Sequence, residues 1–144
     1  MKVEELLAAK GQQILTIKPN ETVGMLARKL QQSRVGVMVV SHDGQTVDGI
    51  ISERDIAYSL AERRGELHLL SVSALMTRRV ITCSPRTGLA EVMHLMRQHH
   101  IRHVPVVDGD RLVGVVSIRD VMEYRLGEME RRSKSVETWL ALSE

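Results

Sequence analysis

The chain has 144 residues, 43% of them hydrophobic, which is enough for a buried core and excludes wholesale disorder. With no Phe, two Tyr, one Trp and eight Met, that core has to be aliphatic. Twenty basic residues against 18 acidic ones give a net charge of +2, without the concentrated basic excess of a nucleic-acid binder. The single cysteine, Cys83, rules out an intrachain disulfide and a cysteine-cluster zinc site.

Residues 1–13, "MKVEELLAAKGQQ", read as an N-terminal helix or linker, with acids and no apolar core of signal-peptide length. A short apolar strand from Ile14 ends at Pro19. Val23, Leu26, Ala27 and Leu30 follow at i, i+3, i+4, i+7, one apolar stripe of a helix, with Thr22 placed to cap it. Two strands joined by an Asp/Gly turn come next, Val37–Val40 and Asp48–Ile51, and a second helix starts at Ser52. Arg63–Ser71 reads as a connector, and Val72–Thr77 as a short helix leading onward.

The same order then recurs. Ile14–Val40 lies over Val80–Val107 at an offset of 66, so that Thr16 falls on Thr82, Pro19 on Pro85 and Val40 on Val106. After the turns the offset is 65, and Gly49, Ser52, Arg54 and Asp55 fall on Gly114, Ser117, Arg119 and Asp120. The one-residue change lies in Asp/Gly-rich loops, where length changes cost little. The second stripe is Leu89, Val92, Met93 and Met96, with Thr87 expected as its cap. The second strand pair is His103–Val107 with Leu112–Val116, and a helix starts at Ser117. The expected architecture is α/β (α+β): two β-α-β-β-α repeats, each too small to bury its own sheet, packed with pseudo-twofold symmetry, plus a C-terminal helix. The expected boundaries are 1–13 N-terminal helix or linker, 14–63 repeat one, 64–77 connector, 78–126 repeat two and 127–144 C-terminal extension.

Ser-x-x-Asp at each helix start is a capping box with Asp in place of Glu, and capping alone could explain it. A capping box does not require Arg before the Asp, yet Arg54 and Arg119 are both there. A helix N-terminus offers free N–H groups and partial positive charge. Arg adds a fork-shaped cation for phosphate, and Asp can accept hydrogen bonds from a ribose diol. That combination suits a nucleotide.

The stretches "SALMTRRVITCSP", "HHIRHVPVVDGDRLVGVVSIRD" and "DGIISERD" resemble a tandem pair of CBS domains, modules named after cystathionine beta-synthase. The resemblance covers Ile14 to Leu126 and is to a pair standing without an attached enzyme or channel. It implies a disc with two clefts that bind adenine nucleotides, AMP first, with ATP, NAD(H) or S-adenosylmethionine as further possibilities. It also implies that the sites are crossed. Ser52, Arg54 and Asp55 would face Ile81, Ile101, Arg102 and His103, and Ser117, Arg119 and Asp120 would face Leu15, Val35, Gly36 and Val37. Arg102 matches a family position that reaches phosphate; its counterpart is Gly36, and Val39 stands opposite Pro105, so the clefts are expected to be unlike.

The other reactive side chains read plainly. His99, His100 and His103 lack a spaced carboxylate or cysteine partner, so they suggest a basic edge and no metal site. Cys83 aligns with Ile17 as a strand residue, and the Met residues fall on apolar stripes as core. Arg63–Arg64, Arg78–Arg79 and Arg131–Arg132 are scattered, and no nucleic-acid partner is expected. No apolar run approaches the roughly 18–20 residues of a membrane span, so no membrane partner is expected either, and the expected location is the cytoplasm. The leading functional reading is a regulatory module sensing an adenine nucleotide, with an unidentified regulated protein as its target. The alternatives are a structural dimerisation unit with vestigial clefts and an enzyme acting on a nucleotide. No catalytic constellation lies outside the repeated signature, so no enzyme activity is expected. Met122, Leu126, Met129, Ser133, Val136 and Leu140 alternate in steps of four and three, a seam that suits a homodimer.

Overall fold

The computed structural model describes residues 1–11, 14–63 and 65–143; Gln12, Gln13, Glu144 and Arg64, one member of the Arg63–Arg64 pair, lie outside the described residues. The chain runs α1 (Val3–Lys10), β1 (Thr16–Ile17), α2 (Val23–Ser33), β2 (Val37–Val40), β3 (Gly49–Ser52), α3 (Glu53–Glu62), a 3-10 turn (Leu67–Leu69), α4 (Val72–Leu75), α5 (Leu89–His99), β4 (His103–Asp108), β5 (Arg111–Ser117) and α6 (Ile118–Ser143). In the first half β1 pairs parallel with β2, and β2 pairs antiparallel with β3. In the second half β4 and β5 form an antiparallel pair with an irregularity at Val106/Val107.

The repeat is visible in the hydrogen bonds as well as in the sequence. Ser41 N donates to Ile17 O at 2.9 Å, and its counterpart Val107 N donates to Cys83 O at 2.8 Å. The first strand of the second half is nevertheless reduced to one bridge, Cys83 with Val106, where a strand was expected. Cys83 is buried there, and desolvation first, then Glu91, pushes its thiol up to about 11. The thiol is therefore protonated at neutral pH.

Each half has its own aliphatic core, because each helix turns one stripe onto its sheet. Leu26 and Leu30 meet Ile17, Met38, Val40 and Ile51; Val92 and Met96 meet Val104, Val106 and Val116. Each fully buried aliphatic side chain contributes roughly 1.5–3 kcal/mol. Of the predicted stripe, Ala27 is exposed. The Met residues divide: Met38 and Met96 are core, while Met25, Met122 and Met129 are exposed, so the expectation that they are all core packing is corrected.

The N-terminal segment is no linker. Val3 and Leu6 of α1 are buried in the core of the second half, although α1 precedes the first. Val72 of α4, which precedes the second half, is buried in the core of the first. The two helices are crossed and dock alike. Leu89 N donates to Met1 O, Val3 N to Thr87 O and Glu4 N to Pro85 O. The matching set is Val23 N to Leu70 O, Val72 N to Glu21 O and Ser73 N to Pro19 O. Met1, Val3 and Glu4 precede Leu70, Val72 and Ser73 by 69 residues each.

This docking corrects one expected cap. Thr22 pairs with Ser71 and caps α2, its side chain accepting from Met25 N at 3.1 Å. The position that pairs equivalently with Lys2 is Gly88, which supplies no side-chain oxygen and stands as the cap of α5. Thr87 lies one residue too early, and its Oγ1 accepts from Ser84 N at 3.0 Å.

The helix α6 runs unbroken from Ile118 to Ser143, across the expected boundary at residue 126. Tyr124 still packs against the core of the second half, while Met122, Leu126, Met129, Val136 and Leu140 are all exposed. Among the described residues no helix is long and apolar enough to cross a membrane.

Candidate functional site

Both Ser-x-x-Asp motifs form the local structure their spacing dictates. Ser52 N donates to Asp55 Oδ2 at 2.8 Å, and Asp55 N donates back to Ser52 Oγ at 3.3 Å. Ser117 N donates to Asp120 Oδ2 at 2.9 Å, and Asp120 N to Ser117 Oγ at 3.1 Å. The reciprocal bonds satisfy amides that a helix start leaves without partners. Each cap uses one carboxylate oxygen. Among the described residues no hydrogen bond reaches Oδ1 of Asp55.

A cavity of about 280 Å³ opens beside Asp55, between the halves. Ser52, Arg54 and Asp55 line it together with Ile81, Ile101, Arg102 and His103, the crossed set expected from the sequence. Gly36 and Val37, expected in the other cleft, also line this one. The wall includes three groups that sequence reasoning passed over: Glu53, Arg79 and the stretch around Thr77. Thr77 is held there by paired backbone bonds with Ile50, 3.0 and 2.9 Å. That pairing needs a glycine next door, because a Cβ on Gly49 would come within 2.9 Å of Thr77 O. Arg54, Arg79 and Arg102 have no acidic partner among the described residues, so one wall of the cavity is positive while Ile81 and Ile101 supply apolar faces. Such a cleft has the chemistry to take a flat apolar group at one end and an anion at the other.

His103 lies between this cavity and Asp120. Burial holds its imidazole below the ordinary 6.5; Asp120 opposes that, Lys10 and Arg102 add to it, and Glu53 opposes it. The ring is therefore neutral at pH 7 and can both donate and accept.

The Asp120 side differs. Leu15 and Val35 pack partly buried against the core of the first half. Val35 and Gly36 also border a shallow groove between α2 and α3. Arg119 turns along its own helix, Nε 3.1 Å from Glu123 Oε1, with its side chain 85% exposed. Asp120 meets Lys10 of α1, whose Nζ lies 2.6 Å from Oδ2 and also donates to Val115 O at 2.9 Å. Burial pushes the Asp120 carboxyl up, but the Lys10 bond and then the Ser117 amide outweigh it and leave it below its ordinary value.

Two half-domains of one pattern, joined by crossed helices and enclosing a cleft lined by one of the two Ser-x-Arg-Asp motifs, define a tandem domain pair. A family model for the CBS domain matches residues 3–62 and 72–127, and the chain belongs to that family. It is 33% identical over 109 residues to the CBS domain-containing protein YhcV of Bacillus subtilis, a span of 76% of each chain. The CBS-domain protein ATU1752 of Agrobacterium tumefaciens superposes with a TM-score of 0.83 at 34% identity, covering 87% of this chain and 99% of that one. The CBS domain protein PAE2072 of Pyrobaculum aerophilum, whose structure is a complex with AMP, superposes with a TM-score of 0.74 at 30% identity, covering 83% and 89%.

Proposed function

We propose that this protein is a regulatory module that binds an adenosine-containing ligand, AMP before ATP or NAD(H), in the Asp55 cleft and passes the change to a partner. The observation that carries this reading is the cavity itself. A capped helix start with an available carboxylate oxygen and a guanidinium, Asp55 and Arg54, faces apolar Ile81 and Ile101 and the cation of Arg102. The adenine would lie between the apolar side chains, the ribose diol would donate to Asp55, and the phosphate would meet Arg54 and Arg102. At about 280 Å³ the cavity is near the lower end of the roughly 300–1,000 Å³ typical of small-molecule clefts, which suits a mononucleotide better than a dinucleotide. A similar structure holding AMP supports the same ligand class.

Titration calorimetry tests the reading. AMP is expected to bind, and Arg102→Ala is expected to weaken AMP by about tenfold or more while changing adenosine much less, because only AMP carries the phosphate. If AMP, ATP, NADH and adenosine all give no heat and no shift in melting, the reading fails and a dimerisation unit with vestigial clefts takes its place.

The partner that suits the tail is a second copy. The exposed stripe on α6, Leu126, Met129, Val136 and Leu140, has heptad spacing and does not fold back on its own disc. A dimer is expected in sedimentation at tens of micromolar, weakened by Met129→Glu with Val136→Glu. A wild-type monomer rejects it.

A further inference from the structure

We propose that Lys10 is a latch that closes the Asp120 cleft, so that the chain loads one nucleotide at Asp55 and gains a second site only when α1 releases. The proposal rests on the nucleotide reading above. Its own observation is an ion pair between residues at opposite ends of the chain.

Lys10 sits in the last turn of α1, and its ammonium donates to the carboxylate that the repeat equates with Asp55 and to the carbonyl that it equates with Ile50. The Asp120 side chain is 15% exposed and that of Lys10 30%, so the carboxylate is mostly withdrawn from water while the ammonium keeps part of its contact with it. The ammonium shares Oδ2 with the Ser117 amide, so a diol would find only Oδ1, on a carboxylate whose charge a 2.6 Å charge-assisted bond already neutralises, a weaker acceptor than Asp55 offers. The latch is also anchored. Val3 and Leu6 are 0% and 5% exposed in the core of the second half, and three backbone bonds hold the start of α1. Nothing comparable pulls a ligand in from the other side: Gly36 stands where the open cleft has Arg102, and Arg119 is paired with Glu123.

The open cleft is the built-in control. Sixty-nine residues after Lys10 stands Arg79, the basic residue at the matching distance from the crossed helix. But α4 ends at Leu75, and the chain then runs extended while Thr77 pairs with Ile50. Arg79 therefore lines the cavity, and among the described residues it makes no ion pair with Asp55. Helix length at these two crossed elements, eight residues against four, separates a cation seated on the carboxylate from one at the mouth.

Two measurements on the full chain test the latch. In titration calorimetry with AMP, one site is expected for the wild type and two for Lys10→Met, which keeps the apolar stem; adding Asp120→Asn is expected to remove the second. Lys10→Gln repeats the test should the Met variant fold poorly. Equal stoichiometry in wild type and variant, or a site lost in the variant because Lys10 contacts the phosphate, overturns the latch and leaves the nucleotide reading standing. The second measurement needs no ligand. Labelling with acetic anhydride, read by mass spectrometry, is expected to modify Lys10 at least tenfold more slowly in the wild type than in Asp120→Asn. Equal rates overturn the latch whatever binds elsewhere. If no adenosine compound binds any variant, the nucleotide reading and ligand gating fail together, and the labelling alone decides the ion pair.

Discussion

At Asp55 the cap leaves one carboxylate oxygen facing a cavity, and Arg54, Arg79 and Arg102 stand around it without an acidic partner among the described residues. At Asp120 the same cap, with backbone distances within 0.2 Å, carries Lys10 at 2.6 Å, and the equivalent arginine lies along its own helix on Glu123. The repeated motif thus secures the same helix start twice. It does not secure the same site twice. What separates the clefts comes from residues outside the motif: Arg102 against Gly36, Glu53 against Ile118, and a crossed helix that stops short on one side and reaches the carboxylate on the other.

The sharpest way to break this comparison is to neutralise each carboxylate in turn. Asp55→Asn is expected to weaken AMP by about tenfold or more, since a charge-assisted hydrogen bond is worth roughly 1.5–3 kcal/mol. Asp120→Asn is expected to leave the first-site affinity within about twofold. The amide oxygen of Asn can still accept the Ser52 or Ser117 N–H in the capping box, so both proteins are expected to fold. Equal losses in calorimetry would mean that the clefts are equivalent after all; no loss in either would return both residues to capping alone.

A smaller effect comes from His103, which touches both sides of the comparison. Its imidazole is held below the ordinary 6.5 by burial, with Asp120 opposing, Lys10 and Arg102 assisting and Glu53 opposing. A histidine whose folded value is depressed contributes stability that is present above its unfolded value and is lost as pH falls through the folded one. The urea midpoint is therefore expected to fall on acidification below about 6.5, and to fall less in His103→Gln. The difference between the two proteins is the quantity to read. His42, raised by its hydrogen bond and charge contact with Asp48 and then by Asp43, acts with the opposite sign in both. Identical acid slopes would show that His103 is not held between the clefts.

Much of this was legible beforehand. The two stripes, the paired strands, the caps at Ser52 and Ser117, and the lining set Ile81, Ile101, Arg102 and His103 follow from the repeat and the resemblance it carries. Other features were not. The offset of 66 already lays Thr22 on Gly88, and the bridge of each to a crossed helix bears that out, but by residue type Thr87 was the better cap. Arg79 read as one of several scattered arginines and Lys10 drew no reading, because nothing near either in the chain marks a carboxylate or a cleft as its neighbour. The spacing of 69 between them is a signal that could have been found, had residues 1–13 been laid over the connector.

The sequence by itself determined what depends on neighbours a few residues away: which faces of α2 and α5 are apolar, where α3 and α6 begin, and where the chain turns. Those choices rest on helical and strand periods and on side chains that bond their own backbone, so they are written locally. Only the tertiary structure decided that α1 crosses to the far half, that Cys83 keeps a single bridge, and that Lys10 closes on Asp120 across 110 residues of chain. Contacts of that kind are set by how two cores dock and by where a helix happens to end, and no local period reports either.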